Sequence, residues 1–230
     1  MDKTKPTSKF YGLFQVIFDY YNEALFDGQL VDCIISMTRK HRVFGHYAYK
    51  RFYHATEMDT DELAINPSMI SKYPLIEVCQ TIVHEMCHGW QCHYGKPPRA
   101  GYHNKEWAAK MESIGLMPSH TGEPGGKKVG QNMADYPIKG GRFMLATEEL
   151  MNSNLFEELF LEVNQNMIDQ LDPDKPLFDQ VRDLHLQYVQ VHAPKPKGNY
   201  KYSCSCSNVW GKPGLSLSCN LCGEEFKAVN

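Results

Sequence analysis

The segment His84-Glu85-Met86-Cys87-His88 constrains this chain more than any other, because on a helix two histidines four residues apart lie on the same side and can hold one metal ion. The flanking residues predict such a helix: Pro74 suits its first turn, and Gly95 ends it. Its apolar stripe consists of Leu75, Cys79, Ile82, Met86 and Trp90. The two histidines lie off this stripe, so they can face a cleft rather than the core.

Glu85 lies beside the two histidines, where it is expected to act on a water molecule rather than on the metal itself. Zinc lowers the pKa of a bound water to about 7, and a neighbouring carboxylate can take its proton as the water attacks a carbonyl group. The alternative is a chance pattern, with His84 and His88 as structural histidines. The position on a predicted helix favours a catalytic metal site, with His84 and His88 as ligands and Glu85 as the base.

A catalytic zinc site needs a third protein ligand and keeps a fourth position open. The candidates that follow the motif are His93, His103, Glu106 and Glu112. The metzincin pattern, which would continue with a glycine and a further histidine, fails because Gln91 and Tyr94 occupy those positions. His103 follows a turn at Gly101 and precedes a further predicted helix, over about residues 104–114. Spacing alone leaves His103 and the two glutamates open.

Four cysteines near the end of the sequence form two close pairs, with twelve residues between the pairs: Cys204 and Cys206, then Cys219 and Cys222. Two matched pairs favour a Cys₄ zinc ribbon over a redox-active pair. Four thiolates fill a tetrahedral site, and a module of fewer than about 40 residues needs such a staple to fold. We therefore predict two zinc ions, one catalytic and one structural.

Lysines and aromatic residues surround these cysteines. The candidate nucleic-acid contacts are Lys195, Lys197, Tyr200, Lys201, Tyr202, Trp210 and Lys212. Cations for phosphates and rings for base stacking would suit single-stranded DNA. The alternative is a solvated linker followed by a small ribbon whose core is filled by Tyr202 and Trp210. Residues 193–230 hold five lysines against two glutamates, which is a weak electrostatic footprint.

The composition is that of a globular protein, since the 230 residues are 42% hydrophobic and 22% charged. No stretch reaches the roughly 18 unbroken apolar residues of a membrane helix. The segment Met1–Lys9 lacks the apolar region of a secretory signal. We therefore expect a cytoplasmic protein with no membrane partner, associated with the nucleoid if it binds DNA. We also expect a monomer.

The order of predicted elements indicates an α+β fold. An amphipathic helix over residues 9–26 precedes three strand candidates, Cys33–Thr38, Val43–Tyr49 and Leu63–Asn66. A stretch rich in glycine and basic residues, 121–143, reads as a loop with at most a short extended piece. Residues 145–192 hold ten acidic and two basic residues, and Leu155, Leu159, Val163 and Met167 predict a helical face there.

Four segments resemble, in order, the signatures of the SprT-like metallopeptidase domain, the group that contains the Spartan-type DNA–protein crosslink proteases. They are Phe26-Asp27-Gly28-Gln29-Leu30, Leu63-Ala64-Ile65-Asn66-Pro67, the motif 84–88, and His103-Asn104-Lys105-Glu106-Trp107. The resemblance covers residues 10–117. Asn104 stands where the family usually has glycine, and asparagine also tolerates a left-handed backbone.

The resemblance implies that His103 is the third zinc ligand and that Trp107 packs behind it. It implies a zincin-like core made of an N-terminal helix, a small sheet and the active-site helix. The predicted division is a SprT-like metalloprotease domain at 9–120, a glycine-rich basic loop at 121–144, an acidic helical segment at 145–192, and a linker with the zinc ribbon at 193–230. SprT-like proteins often carry such a C-terminal ribbon.

The activity implied by the resemblance is that of a zinc-dependent endopeptidase. Its protein substrates would be bound or crosslinked to DNA, and Glu85 would activate the attacking water. One alternative is a zinc-binding, DNA-associated regulatory protein with little or no peptidase activity. Another is a peptidase that never meets nucleic acid.

Overall fold

A computed structural model of the protein describes residues 5–40, 43–56, 59–70, 73–162, 169–175, 180, 200–211 and 214–229. The chain forms two compact units, residues 1–186 and residues 187–230. The first unit contains a mixed α+β fold with small sheets, and the second contains the four paired cysteines. No helix among the described residues is long and apolar enough to cross a membrane.

Helix α1 spans Pro6–Phe26 and begins three residues before the predicted start, because proline is favourable in a first turn. The sequence predicts an apolar stripe of Phe10, Leu13, Phe14, Ile17, Phe18, Tyr21 and Leu25. All of these except the partly buried Phe10 are buried, and so is Phe26. The helix ends where Asp27 and Gly28 adopt left-handed backbone angles. The buried side chains of α1 belong to the hydrophobic core of the first unit.

A three-stranded sheet follows, made of β1 (Cys33–Met37), β2 (Gly45–Tyr53) and β3 (Asp59–Ile65). Strand β3 lies in the middle, parallel to β1 and antiparallel to β2. It begins four residues before the predicted strand at Leu63, and β2 runs on past the predicted end at Tyr49 to Tyr53. Because β3 lies in the middle, β2 is an edge strand of the sheet. Its pairing with β3 is irregular between Ala48 and Phe52.

The short helix α2 (Pro67–Ile70) leads into α3 (Leu75–Tyr94), which carries the motif 84–88 as predicted. Strand β4 (Tyr102–His103) and helix α4 (Lys105–Ser113) come next. Asn104 has ordinary extended backbone angles and caps α4, because its side chain accepts a hydrogen bond from the Trp107 amide. A left-handed conformation is thus not what this position requires.

The glycine-rich stretch is more ordered than the sequence predicted. Strand β5 (Leu116–Ser119) pairs with β7 (Ala134–Pro137), and β6 (Gly130–Gln131) pairs with β4. Helix α5 (Arg142–Met151) then packs on α1, where the Tyr21 hydroxyl hydrogen-bonds to the Thr147 hydroxyl at 2.8 Å. Residues 130–137 are therefore tied to both β4 and β5.

The helical face predicted through Leu155 and Leu159 is wrong. Helix α5 ends at Met151, and a short 3₁₀ helix (Asn154–Glu158) precedes an extended backbone at Leu159. The polar residue Ser153 explains the break, because such a side chain offers the backbone a competing hydrogen bond. Its hydroxyl accepts a hydrogen bond from the Leu155 amide. Val163, Met167 and the linker 193–198 lie outside the described residues.

The second unit is a small antiparallel sheet with the strand order β10-β8-β9. Its strands are β8 (Tyr200–Ser203), β9 (Asn208–Gly211) and β10 (Lys227–Val229). The turn between β8 and β9 contains Cys204 and Cys206. The loop between β9 and β10 contains Cys219 and Cys222, which brings both cysteine pairs to one end of the sheet.

Candidate metal centre

Three imidazole rings meet beside helix α3. His84 and His88 lie one turn apart on that helix, and His103 reaches them from the end of strand β4. One nitrogen of each ring lies within 4.8 Å of the others, and Nε2 of His88 is 3.1 Å from Nε2 of His103. The structure thus brings His103 to the helix pair, which spacing in the sequence left open.

The spacing of these nitrogens fits one zinc ion. Zinc–nitrogen bonds of about 2.0–2.1 Å in a tetrahedron put neighbouring ligand nitrogens about 3.3 Å apart. The 3.1 Å separation between His88 and His103 is close to that value. Burial and the two neighbouring rings hold the pKa of His88 well below its ordinary value, and burial is the main cause that lowers the pKa of His103 to about 4. Both rings are therefore neutral near pH 7, as metal ligands must be.

Asp135 orients the first candidate ligand, His84. Its Oδ2 atom accepts a hydrogen bond of 2.8 Å from Nδ1 of His84, which leaves Nε2 of that ring free for a metal. Burial alone would lower the pKa of His84, but the hydrogen bond and the charge of Asp135 raise it above its ordinary value. Asp135 is buried at the start of β7, and the side-chain amide of Gln80 holds its backbone carbonyl at 2.7 Å.

The third candidate ligand, His103, is oriented by a backbone group. Nδ1 of His103 faces the carbonyl oxygen of Gly130 at 3.4 Å, so that Nε2 points toward His88. Trp107 is fully buried behind the cluster. Its ring stacks on His88 with centroids 5.4 Å apart and meets His103 edge-on at 4.4 Å. The three rings are thus held by packing as well as by hydrogen bonds.

Glu85 is almost entirely buried, with 8% of its surface exposed, although it carries an ionisable group. Burial raises the pKa of its carboxyl group, while the charge of His84 and a hydrogen bond from the Tyr47 backbone amide oppose the rise. A carboxylate with a raised pKa is a stronger base than an exposed one. Its place next to the three imidazoles suits a group that takes a proton from a water held there.

The remaining candidate ligands lie elsewhere. His93 binds Asp61, with Nε2 and Oδ2 2.6 Å apart. The Glu106 carboxylate accepts hydrogen bonds from Gln91 and from the Lys96 amide, each at 2.7 Å. Glu112 forms an exposed ion pair of 3.0 Å with Lys128. Among the described residues of the first unit, the candidate metal cluster therefore consists of His84, His88 and His103 alone.

The sequence profile of the SprT-like family matches residues 14–124, which include both helix histidines, Glu85 and His103. Residues 14–124 are thus similar in sequence to the SprT-like family. A protein of Salmonella typhimurium, described as an uncharacterized protein in the mucB 3' region, is 38% identical to the chain over 47 residues. That alignment covers 20% of this chain and 64% of the relative, so the chain spans less than two thirds of the relative's length. No solved structure matches the chain.

Two positions that contact the candidate ligand histidines were not identified from the sequence, Asp135 and Gly130. Both fall in the stretch that was predicted to be a loop, and both lie beyond the residues that match the family. Asp135 approaches His84 because β7 pairs with β5, and Gly130 approaches His103 because β6 pairs with β4. The sequence around Asp135 gives only a weak indication of a strand, because glycine and lysine dominate the surrounding stretch.

The four cysteines of the second unit form a separate cluster, and their sulfur atoms lie within 4.8 Å of one another. Sγ of Cys206 is 3.4 Å from Sγ of Cys219 and 3.7 Å from Sγ of Cys204. These spacings exclude disulfides, whose sulfur atoms are about 2.05 Å apart, and approach the 3.8 Å or so expected for thiolates around zinc. Backbone amides of Cys222 and Leu221 lower the pKa of the Cys219 thiol, which favours a metal-binding thiolate.

The candidate nucleic-acid contacts differ in their exposure. Trp210 is 62% exposed, and Nζ of Lys201 lies 6.0 Å from the centre of its ring. Tyr202 is only 3% exposed, and its hydroxyl accepts a hydrogen bond from the Leu215 amide, so it fills the ribbon core instead of offering a ring for stacking. Tyr200 begins β8. Lys195, Lys197 and Lys212 lie outside the described residues.

Proposed function

We propose that this chain is a zinc-dependent endopeptidase that acts on proteins bound or crosslinked to DNA. The observation that carries the proposal is the convergence of His84, His88 and His103 beside the buried carboxylate of Glu85. His84 and Glu85 also line a cleft of about 690 Å³, which gives a polypeptide room beside these two side chains. A structural zinc site has four protein ligands and no such opening.

The chemistry divides among a few side chains. A zinc ion held by the three histidines would supply Lewis acidity and a water of lowered pKa. Glu85 takes the proton of the attacking water and later passes it to the leaving amine. Asp135 keeps Nδ1 of His84 protonated and fixes the orientation of that ring. The burial of Glu85 maintains its basicity, because the neutral form is favoured out of water.

The connection to DNA is supported by the family and by the ribbon. SprT-like domains include proteases of DNA–protein crosslinks, and the ribbon exposes Trp210 next to Lys201. An exposed indole stacks on unpaired bases irrespective of sequence, and a neighbouring ammonium pairs with phosphate. With Tyr202 in the ribbon core, the proposed contact rests on Trp210 and Lys201 among the described residues.

The proposal is tested with zinc-loaded full-length protein and a DNA-bound protein substrate, with and without single-stranded DNA. We expect cleavage by the wild type and none by Glu85→Gln, whose zinc content should stay at the wild-type level. Glu112→Gln is the matched control, because it removes an exposed carboxylate of the same domain. Full activity of Glu85→Gln would refute the assigned base. Zinc binding without hydrolysis by the wild type would favour the regulatory alternative.

A further inference from the structure

The cleft beside the candidate zinc site is lined by apolar side chains and by carboxylates. Phe44, Ile76, Met133 and Tyr136 contribute apolar surface, and Glu77, Glu85 and Asp135 contribute carboxylates. Its described lining residues include no lysine or arginine. Asp135 is engaged by His84, and Glu85 belongs to the proposed reaction. Glu77 is the carboxylate of the cleft to which the proposed chemistry gives no role.

Glu77 lies on the same face of α3 as the zinc ligands. Residues 77, 81, 84 and 88 follow the spacing of one helical face, and Glu77, Thr81 and His84 all line the cleft. His84 follows Glu77 by seven positions of the helix, which corresponds to roughly 10 Å along the axis. An extended peptide advances about 3.3 Å per residue. A substrate running along the cleft would therefore place a side chain near Glu77 about three residues from the bond that is cut.

The carboxylate of Glu77 lacks a compensating partner among the described residues. It stands in the first turn of α3, where a glutamate could bond back to the amide of the N-cap residue, but that residue is Pro74 and has no amide hydrogen. Burial raises the pKa of Glu77, and no hydrogen bond or cation offsets the rise. A half-buried carboxylate without a partner is costly, so a cation from a ligand would bind there favourably.

We propose that Glu77 is a specificity-determining residue that selects a lysine or arginine side chain of the substrate, about three residues from the scissile bond. The long aliphatic part of such a side chain would lie along Phe44 and Ile76, and its charged end would reach the Glu77 carboxylate. The inference rests on the proposed peptidase function and narrows its substrates to polypeptides with basic side chains.

The test measures binding separately from cleavage. Short fluorescent peptides of glycine, serine and alanine carry one central lysine or, at the same place, norleucine, which has a similar chain without the charge. Their affinities are measured for zinc-loaded full-length Glu85→Gln protein. We expect the lysine peptide to bind at least about tenfold more tightly. Adding Glu77→Gln should abolish the preference, and adding Glu77→Lys should turn it toward a glutamate peptide.

Glu148→Gln on the same background is the control, because Glu148 is exposed on α5 and does not line the cleft. It should leave the preference for lysine unchanged, and zinc content verifies that each variant retains its fold. Equal binding of the two peptides, or a preference that survives Glu77→Gln, would overturn the inference. Wild-type protein should cut the lysine peptide about three residues from the lysine. Selective binding without any cleavage would count against the peptidase function alone, and cleavage without selectivity would count against Glu77 alone.

Discussion

Asp135 and His84 are 51 positions apart in the sequence, yet a hydrogen bond of 2.8 Å joins the aspartate carboxylate to Nδ1 of the histidine ring. Both side chains are largely buried, so solvent screens the interaction little. The bond makes β7 part of the candidate metal site, although β7 contributes none of the three candidate ligands. The segment that follows the family match therefore completes the environment of the proposed zinc ion.

This pair yields a first prediction. Asp135→Asn keeps a side-chain oxygen near Nδ1 but removes the negative charge that stabilises the oriented ring. We expect the zinc dissociation constant of the histidine site to rise about 10- to 100-fold, the usual effect of losing such a partner. Competition with a chromophoric chelator would measure it. Asp32→Asn, on an exposed carboxylate away from the metal site, should leave the constant unchanged. An unaltered constant in Asp135→Asn would show that the pair does not support the site.

A second prediction concerns the contact between α3 and the edge strand. Gly89 lies against the ring of Tyr47, and a methyl group at this position would come within 2.8 Å of two ring carbons. Gly89→Ala should therefore lower the free energy of unfolding by about 1–3 kcal/mol, despite the better helix propensity of alanine. Urea denaturation monitored by circular dichroism would measure it. Gly12→Ala is the matched control, because nothing lies within 4 Å of the added methyl group in the middle of α1. That variant should gain up to about 1 kcal/mol.

The sequence predicted the parts of the site that follow local rules. Helical spacing placed His84, Glu85 and His88, and the resemblance added His103. Asp135 and Gly130 were not predicted, because their positions depend on pairing between short strands that are far apart in sequence. The sequence of one short strand gives little indication of the strand with which it pairs. Their neighbourhood of glycines and lysines is typical of loops, and tertiary contacts outweigh that preference.

Polar residues account for the differences between the predicted and the observed bounds of β3 and of the helix expected around Leu155. Strand β3 was predicted too short because Asp59 and Asp61 lie in its first three residues, and aspartate is unfavourable in strands. Asp61 is tolerated there because its carboxylate accepts hydrogen bonds from the Tyr47 hydroxyl, the Lys50 amide and His93. A partner can be recognised only once the fold is known. The same holds for Ser153, whose side chain bonds to the backbone where a helix was expected to continue.

A third prediction follows from the cysteine cluster. Full-length protein should bind two zinc ions, one at each site. Cys219→Ser should lose the ion of the ribbon and unfold the second unit, since a module of this size depends on its metal. His103→Ala should lose the other ion and leave the ribbon intact. Elemental analysis together with proton NMR of the ribbon residues would distinguish the two variants. Loss of both ions from either variant would contradict independent sites.

A fourth prediction concerns the pH dependence of stability. Burial alone would raise the pKa of Asp61, but hydrogen bonds from the Lys50 amide, Tyr47 and His93, together with the charge of His93, lower it below the ordinary value. A carboxyl group with a lowered pKa in the folded state binds protons more readily when unfolded. Its stabilising contribution is therefore complete above the ordinary aspartate pKa of about 3.9 and is lost as the pH falls through the folded value.

Asp61→Asn removes this contribution, so the variant should be about 1–3 kcal/mol less stable than the wild type at pH 7. The difference should shrink as the pH falls below about 4, because the wild-type carboxylate then becomes protonated. Urea unfolding at several pH values, in the presence of a chelator so that metal release does not contribute, would measure it. Asp19→Asn changes an exposed carboxylate on α1 that contacts only Gln15 among its described hydrogen bonds, and it should show little difference at any pH. A deficit in Asp61→Asn that stays constant down to pH 2 would mean that shape, rather than charge, makes Asp61 necessary.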